Sequence, residues 1–397
     1  MIKGFRFKKD DRGISAITFP FMRKLIIPTT KLIFNPVITN KHNMPLTGPC
    51  FIYGNHSNYF DPFLLNVDMT VEPTAGVMTR DQFHKPIPRI FMDSIGIVPT
   101  SKYVPEPGIV RDVIKMIDKR RMIVIFPEGG RRWDGRPKPL IETTLKLFWR
   151  MKIPVHPVQL HGSHLGWPRW ADKYRISTLE IRWLDPLIPS DYPDYDTFAE
   201  KCRSLIDFEE YTPPDTVKIH SCSKPASGID RLLFRCPETG ELDSIYTPDG
   251  KSVFSHTSTQ SYNMDLYSRL IDKHGESHSV IEMFDKIDAM PIPADKGGVV
   301  LKNLGCKFYR IDSEHQLIKI GPGYTELTRD SIYMSYGSDK VTIPLSDIRY
   351  LSVEQNKKLS LTTDRDIYQI ALKNDGALKW QTFIRRLQNG EKTVKSL

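Results

Sequence analysis

The chain has 397 residues, of which 40% are hydrophobic and 26% charged, and a net charge of +9. That length exceeds one ordinary core and sets an expectation of two or three domains. No window reaches 18 uninterrupted apolar residues, so the pattern offers no clear transmembrane helix. Cys50, Cys202, Cys222, Cys236 and Cys306 are scattered and odd in number, which suits a reducing cytoplasm better than a disulfide framework.

The first 50 residues hold nine Lys/Arg against two Asp. Basic charge has two common partners, nucleic acid and anionic lipid. The stretch ISAITFPFMRKLIIPTTKLIFNPV mixes Ile, Phe, Leu and Met with Arg23, Lys24 and Lys31. Cations inside the apolar run argue against a secretory signal. Pro20 and Pro28 are expected to break the stretch into short helices. Residues 1–40 thus read as a basic amphipathic segment that lies in a headgroup interface. No nucleic-acid motif or aromatic-basic platform is present, so nucleic acid is not the expected partner.

Residues 41–213 alternate apolar runs with amphipathic stretches. CFIYGN, GIVPT, MIVIFPEG and IPVHPVQLHG read as short buried strands. PGIVRDVIKMIDKRR reads as a helix with Ile109, Val113, Ile114 and Ile117 on one face, and ETTLKLFWRM as another. YDTFAEKCRSLIDFEEY is expected to close the domain as a helix before the Pro-rich break at residues 212–215. Such alternation implies an α/β domain with a largely parallel sheet flanked by helices.

Residues 214–298 read as a linker. RCPETGELDSIYTPDGKSVF carries hairpin signals at Gly240 and Asp249-Gly250, and SYNMDLYSRLIDKHG reads as helical. Residues 299–397 alternate apolar and polar positions as antiparallel strands do. They end in the amphipathic helix DGALKWQTFIRRLQNG, with Leu378, Trp380, Phe383, Ile384 and Leu387 clustered. Asp375 is its expected N-cap and Gly390 its stop. By pattern this C-terminal β domain resembles a pleckstrin-homology-like or GRAM-like fold.

Four short blocks carry chemistry. GNHSNYFDP places His56 five residues before Asp61, directly after an apolar strand. A neutral imidazole can take a proton from a hydroxyl, and works better when a carboxylate bonds its other nitrogen. The pair cannot share a helix face at this spacing, so His56 belongs on the turn and Asp61 inside the next helix. FPEGGRR puts Glu128, two glycines, Arg131 and Arg132 at the mouth of a second strand. Glycines admit close backbone approach, and Arg binds phosphate with a planar fork. GIVPTSK ends in the cation Lys102, and IPVHPV follows at 153–158. His161 and His164 have metal-like spacing, but no carboxylate or cysteine completes a set.

In this order and spacing the four blocks resemble the lysophospholipid acyltransferase family, over roughly residues 40–210. That family reads N-H-x4-D, then G-x5-R, then F-P-E-G-T-R-S, then a V-P-x-x-P-V-like strand. The chain departs from it at Lys102 where Arg is usual, Gly130 where Thr is usual and Arg132 where Ser is usual. Lysine lacks the bidentate fork, and the extra Arg132 either adds a phosphate contact or points away. Both changes bear on the identity of the acyl acceptor.

The resemblance implies a 1-acyl-sn-glycerol-3-phosphate O-acyltransferase-like enzyme. His56 would be the general base and Asp61 its orienting group. Lys102, Glu128, Gly129 and Arg131 would hold the acceptor's phosphate, and backbone N–H groups near the His56 turn would steady the oxyanion. The acyl donor would be acyl-CoA or acyl carrier protein, with no cofactor and no metal. The acceptor would be a lysophospholipid, first of all 1-acylglycerol 3-phosphate. The alternatives are glycerol 3-phosphate or another lysolipid as acceptor, or a non-catalytic lipid-binding protein. The protein would sit peripherally on the anionic cytoplasmic face of a membrane. Residues 234–256 resemble the zinc-ribbon insert of some bacterial members. Only Cys236 remains of the ligand set, which implies a metal-free vestige of the hairpin.

Overall fold

The computed structural model describes residues 8–79, 86–100, 107–294, 297–312, 317–354, 356–391 and 393–395. The chain forms two compact units. One contains residues 1–169 and 173–225, the other residues 170–172 and 226–397.

The first unit opens with α1 (Thr18–Phe21), a π-helical turn over Met22–Ile26, and α2 (Ile27–Phe34). The stretch was expected as short helices or kinked pieces, and it is a run of short helical pieces. Pro28 sits in the first turn of α2, where a missing N–H matters least, directly after the π turn. Strands β1 (Val37–Thr39) and β2 (Cys50–Gly54) follow, then the short α3 (Asp61–Leu64), β3 (Ala75–Thr79), α4 (Pro86–Ile95) and β4 (Ile97–Thr100). Next come α5 (Pro107–Asp118), β5 (Met122–Val124), α6 (Glu142–Met151), β6 (Val155–His161) and α7 (Ser163–Gly166). The unit closes with β7 (Ile176–Thr178), β8 (Glu180–Trp183), α8 (Tyr195–Ser204) and β9 (Lys218–Ser221).

Seven strands form one sheet in the order β1-β8-β6-β2-β5-β3-β4. Every neighbouring pair is parallel except β6 and β8. Because side chains alternate along a strand, β2 feeds two cores. Cys50 and Ile52 join Met122 and Val124 on one face, while Phe51 and Tyr53 join Ile123 and Phe148 on the other. Burial on both faces is why CFIYG and MIV read as continuous apolar runs. On α5 the buried face is Ile109, Val113, Met116 and Ile117. Ile114, expected on that face, is exposed.

The second unit begins with a five-stranded antiparallel meander: β10 (Ile245–Tyr246), β11 (Ser252–Ser255), β12 (Ser261–Met264), β13 (Leu270–Asp272) and β14 (Ser277–His278). SYNMDLYSRLIDKHG, expected as a helix, is β12, a turn and β13. Asp265 decides this: its Oδ1 accepts the N–H groups of Tyr267 at 2.8 Å and Arg269 at 2.7 Å, and Ser268 takes a positive φ. An aspartate that captures its own downstream amides competes with helix. The stretch expected as a linker with hairpins and a helix holds this meander and α9 (Val280–Asp288).

β15 (Ile292–Ala294) later pairs with β23 (Thr393–Lys395). Between them lie β16 (Val299–Ile311), β17 (Leu317–Thr328), β18 (Ser331–Tyr336), β19 (Asp339–Pro344), β20 (Tyr350–Glu354), β21 (Lys358–Thr362), β22 (Ile367–Ala371) and α10 (Ala377–Gln388). The seven strands β16 to β22 make one antiparallel sheet, in the order β19-β18-β17-β16-β22-β21-β20. Leu378, Trp380, Phe383, Ile384 and Leu387 of α10 are buried as expected. Asp375 does not cap the helix: Gly376 is the N-cap, and Asp375 instead accepts Trp380 Nε1 at 2.8 Å and pairs with Lys379 at 2.9 Å. Trp170 is fully buried.

Candidate active site

β2 and β5 run parallel and side by side, so their C-terminal ends open onto the same edge of the sheet. Crevices at that edge are where open α/β sheets hold ligands. The two polar blocks of the sequence begin there.

After β2 the chain turns at residues 55–60. Asn58 makes the turn, its Oδ1 accepting the Phe60 N–H at 2.8 Å. Asp61 then enters the first turn of α3 and points back. Its Oδ2 lies 2.8 Å from His56 Nδ1 and accepts the N–H groups of Ser57 and Asn58, each at 2.8 Å. Its Oδ1 accepts the Ser163 hydroxyl. Asp61 is fully buried, while the His56 side chain is 19% exposed. A buried carboxylate with four donors is held in one place, and it fixes Nδ1 as the protonated nitrogen of His56. The imidazole stacks on Phe126 with 4.3 Å between centroids. Backbone N–H groups near this turn were expected to steady an oxyanion, and the amides of Ser57 and Asn58 there are committed to Asp61.

After β5 the loop carries Glu128, Gly129, Gly130, Arg131 and Arg132. Gly129 has φ +66°, a conformation that disfavours a side chain. The adjacent arginines diverge. Arg132 turns inward, donating Nε to both Glu128 oxygens (3.0 and 3.1 Å) and Nη2 to Oε1 at 2.8 Å. It also donates to the carbonyls of Phe208 at 2.6 Å and Ile206 at 2.9 Å. Both side chains of this pair are 0% exposed. Glu128, expected to support the phosphate site by bonding an arginine or a glycerol hydroxyl, bonds Arg132. With both side chains buried, Arg132 takes the inward of the two directions open to it. Burial pushes the Glu128 carboxyl upward, and the Arg132 guanidinium opposes that shift. Through its N–H, Arg132 also donates to the His56 carbonyl at 2.8 Å, which ties the two blocks together.

Arg131 stays partly buried, its guanidinium 5.6 Å from the centroid of the Tyr59 ring on the His56 turn. Burial lowers its pKa, opposed by the Asp61 charge. Its carbonyl accepts Arg169 Nη1 at 2.9 Å, and Arg169 stacks over Trp133 at 4.0 Å. Tyr59, Phe60, Trp167 and Tyr174 form an aromatic group beside it. Lys102, expected to complete the phosphate site, lies outside the described residues.

A second layer went unread in the sequence. α8 ends at Ser204, and residues 206–211 run as a loop rather than the expected last turns of helix. That loop supplies the two carbonyls for Arg132, the ring of Phe208 under its guanidinium at 5.3 Å, the buried Glu210 and the half-buried Tyr211. Burial pushes the Glu210 carboxyl up to about 7. His164, whose Nε2 meets the Tyr211 hydroxyl at 3.0 Å, is pushed down to about 3 by burial and by the charges of Arg175, Arg132 and Arg131. It is therefore neutral at physiological pH. Asn55, also unread, accepts the Leu160 N–H at 2.8 Å and joins the ends of β2 and β6.

Residues 35–161, which contain all four sequence blocks, match the protein family described as Acyltransferase. Over 122 residues the chain is 23% identical to the 1-acyl-sn-glycerol-3-phosphate acyltransferase of Cocos nucifera, covering 30% of this chain and 39% of that one. The enzyme of the same name from Limnanthes alba is 24% identical over 143 residues, 35% of this chain and 50% of that one. Among solved structures, the 1-acyl-sn-glycerophosphate (LPA) acyltransferase PlsC of Thermotoga maritima aligns at 17% identity with a TM-score of 0.37, covering 47% of this chain and 82% of that one. The chain thus spans half or less of the length of these two plant relatives. Residues 35–161 of its first unit are thus similar to the Acyltransferase family and to 1-acyl-sn-glycerol-3-phosphate acyltransferases.

Proposed function

We propose that the protein transfers a fatty acyl group from acyl-CoA or acyl carrier protein to the hydroxyl of a lysophospholipid, foremost 1-acylglycerol 3-phosphate, giving phosphatidic acid. The observation that carries this reading is the His56–Asp61 pair, 2.8 Å apart at the carboxyl end of a parallel strand, with Arg131 over the same turn. Asp61 holds Nδ1, so the acceptor's hydroxyl gives its proton to Nε2. The hydroxyl oxygen attacks the thioester carbonyl, the C–S bond breaks, and the departing thiolate recovers the proton from the imidazolium. No acyl-enzyme is required, because the acceptor is itself the nucleophile. Arg131, with Lys102, pairs with the acceptor's phosphate.

The membrane reading rests on α1 and α2. Ile17, Phe21, Leu25 and Leu32 are 50–79% exposed and recur at spacings of four, four and seven, which is one helical stripe. Arg23, Lys24 and Lys31 stand exposed on the same helices. This apolar stripe with cations beside it suits peripheral binding to the anionic cytoplasmic face of a membrane. Among the described residues no helix is long and apolar enough to cross one. The seven-stranded antiparallel sheet with α10 serves, in this proposal, as a PH-like module.

The test is an acyl-transfer assay on vesicles containing anionic lipid, offering lysophosphatidic acid and other acceptors with labelled acyl-CoA or acyl carrier protein. His56→Ala should lower transfer by about a thousandfold while vesicle binding persists. A folded, vesicle-bound wild type that transfers to no acceptor from either donor would sink the proposal and favour lipid binding alone.

A further inference from the structure

Glu210 stands on the loop after α8, only 1% exposed, and the mechanism above does not use it. Its carboxylate takes three donors. Oε1 accepts Asn55 Nδ2 at 3.1 Å and the Ser57 hydroxyl, and Oε2 accepts the His164 N–H at 2.6 Å. Asn55 and Ser57 are the residues on either side of His56. Ser163, immediately before His164, gives its hydroxyl to Asp61. Ser57 also gives its amide to the Asp61 oxygen that faces His56. One carboxylate thus grips both flanks of the histidine and the residue beside a third partner of its aspartate.

A buried carboxylate near Asp61 carries a desolvation penalty and like-charge repulsion, which a neutral residue closing the same loop would avoid. Three converging donors offset that cost, and two of them flank the proposed base. We infer that Glu210 is a positioning residue for the His56–Asp61 pair and acts through Ser57. This inference gives the proposed acyl-transfer site an outer layer, and it rests on that reading only for its kinetic arm.

The experiment uses the full chain labelled with 15N-histidine. The Nδ1-bound proton of His56 is assigned by its loss in His56→Ala. Glu210→Gln keeps the side chain's size but turns one acceptor oxygen into a donor, so one of the three contacts becomes donor against donor. Ser57→Ala removes the link and leaves the Ser57 amide on Asp61. Glu142→Gln, on the exposed surface of α6, is the control. In Glu210→Gln and Ser57→Ala the His56 proton signal should shift or broaden, and in Glu142→Gln it should stay. Both variants should lose about tenfold in kcat, with KM for lysophosphatidic acid within about twofold. The double variant should be no worse than either single one, because the two changes cut one chain of contacts.

A folded Ser57→Ala or Glu210→Gln with an unmoved His56 signal overturns the inference, whatever happens to melting temperature. Should Glu210→Gln fail to fold, Ser57→Ala alone decides. If wild type transfers no acyl group, the enzymatic reading fails, yet the proton signal still decides this one.

Discussion

The two units treat their interiors differently. Around β2 and β5 the first unit buries a dense polar group: Asn55, Ser57, Asn58, Asp61, Glu128, Arg132, Ser163, His164 and Glu210. The seven-stranded sheet of the second unit buries Phe308, Leu327, Ile332, Leu359, Leu361 and Ile370, and α10 buries Trp380 and Phe383. Its buried polar side chains are fewer, and Lys379 lies between Asp375 and Asp243. Apolar burial alone suffices to hold a sheet and a helix together. Buried charge needs a reason, since an apolar replacement is often as stable. The contrast teaches where the chain invests in geometry: at the strand ends that hold His56, not in the sheet that follows.

The largest expected effect breaks the polar interior. Arg132→Met leaves Glu128 buried without its partner and should cost about 3 to 5 kcal/mol in chemical unfolding. Arg131→Met, one residue earlier, should leave stability within about 1 kcal/mol and instead raise KM for a phosphate-bearing acceptor. Equal destabilisation by both would erase the distinction between the inward and outward arginine. In the apolar interior, Leu361→Ala should cost about 3 kcal/mol, read as lost amide-exchange protection across β16 to β22. No partner is orphaned there, so a volume-conserving Leu361→Met should recover most of that loss.

A smaller effect is pH-dependent. Burial raises the Glu210 carboxyl from its ordinary 4.5 to about 7, so the fold favours the protonated form. That contribution is fully present below pH 4.5 and is lost as pH rises through about 7. Wild type should therefore lose stability relative to Glu210→Gln across that window, by on the order of 3 kcal/mol. Parallel stability curves for the two proteins would show that Glu210 keeps an ordinary carboxylate pKa in the fold.

The sequence shows what is local and hides what is distant. His56 and Asp61 are legible because a strand, a turn and a helix start place them five residues apart, and both belong to one hydrogen-bonded loop. The strands that became β2 and β5 are legible because parallel strands buried on both faces read as apolar runs. Arg131 and Arg132 are the same residue type one position apart, and only the tertiary position of Glu128 and of the 206–211 loop assigns their directions. Glu210 lay inside a stretch whose composition favours helix, and its partners are about 50 to 155 residues away in sequence. The misread segment at residues 261–275 had helical residue types, but a single Asp265 side chain, bonded to two amides, outweighed them.

One feature of the chain path limits how the protein can be dissected. Residues 170–172 belong to the second unit, although the chain on both sides of them belongs to the first. There the Arg231 guanidinium binds the Trp170 carbonyl at 2.8 Å and the Asp172 carboxylate at 2.6 Å, and Ser227 accepts the Asp172 N–H at 3.0 Å. A cut after residue 225 would strip this three-residue excursion of these partners. One break in the chain therefore does not free the first unit, and any dissection has to treat residues 170–172 together with residues 227–231.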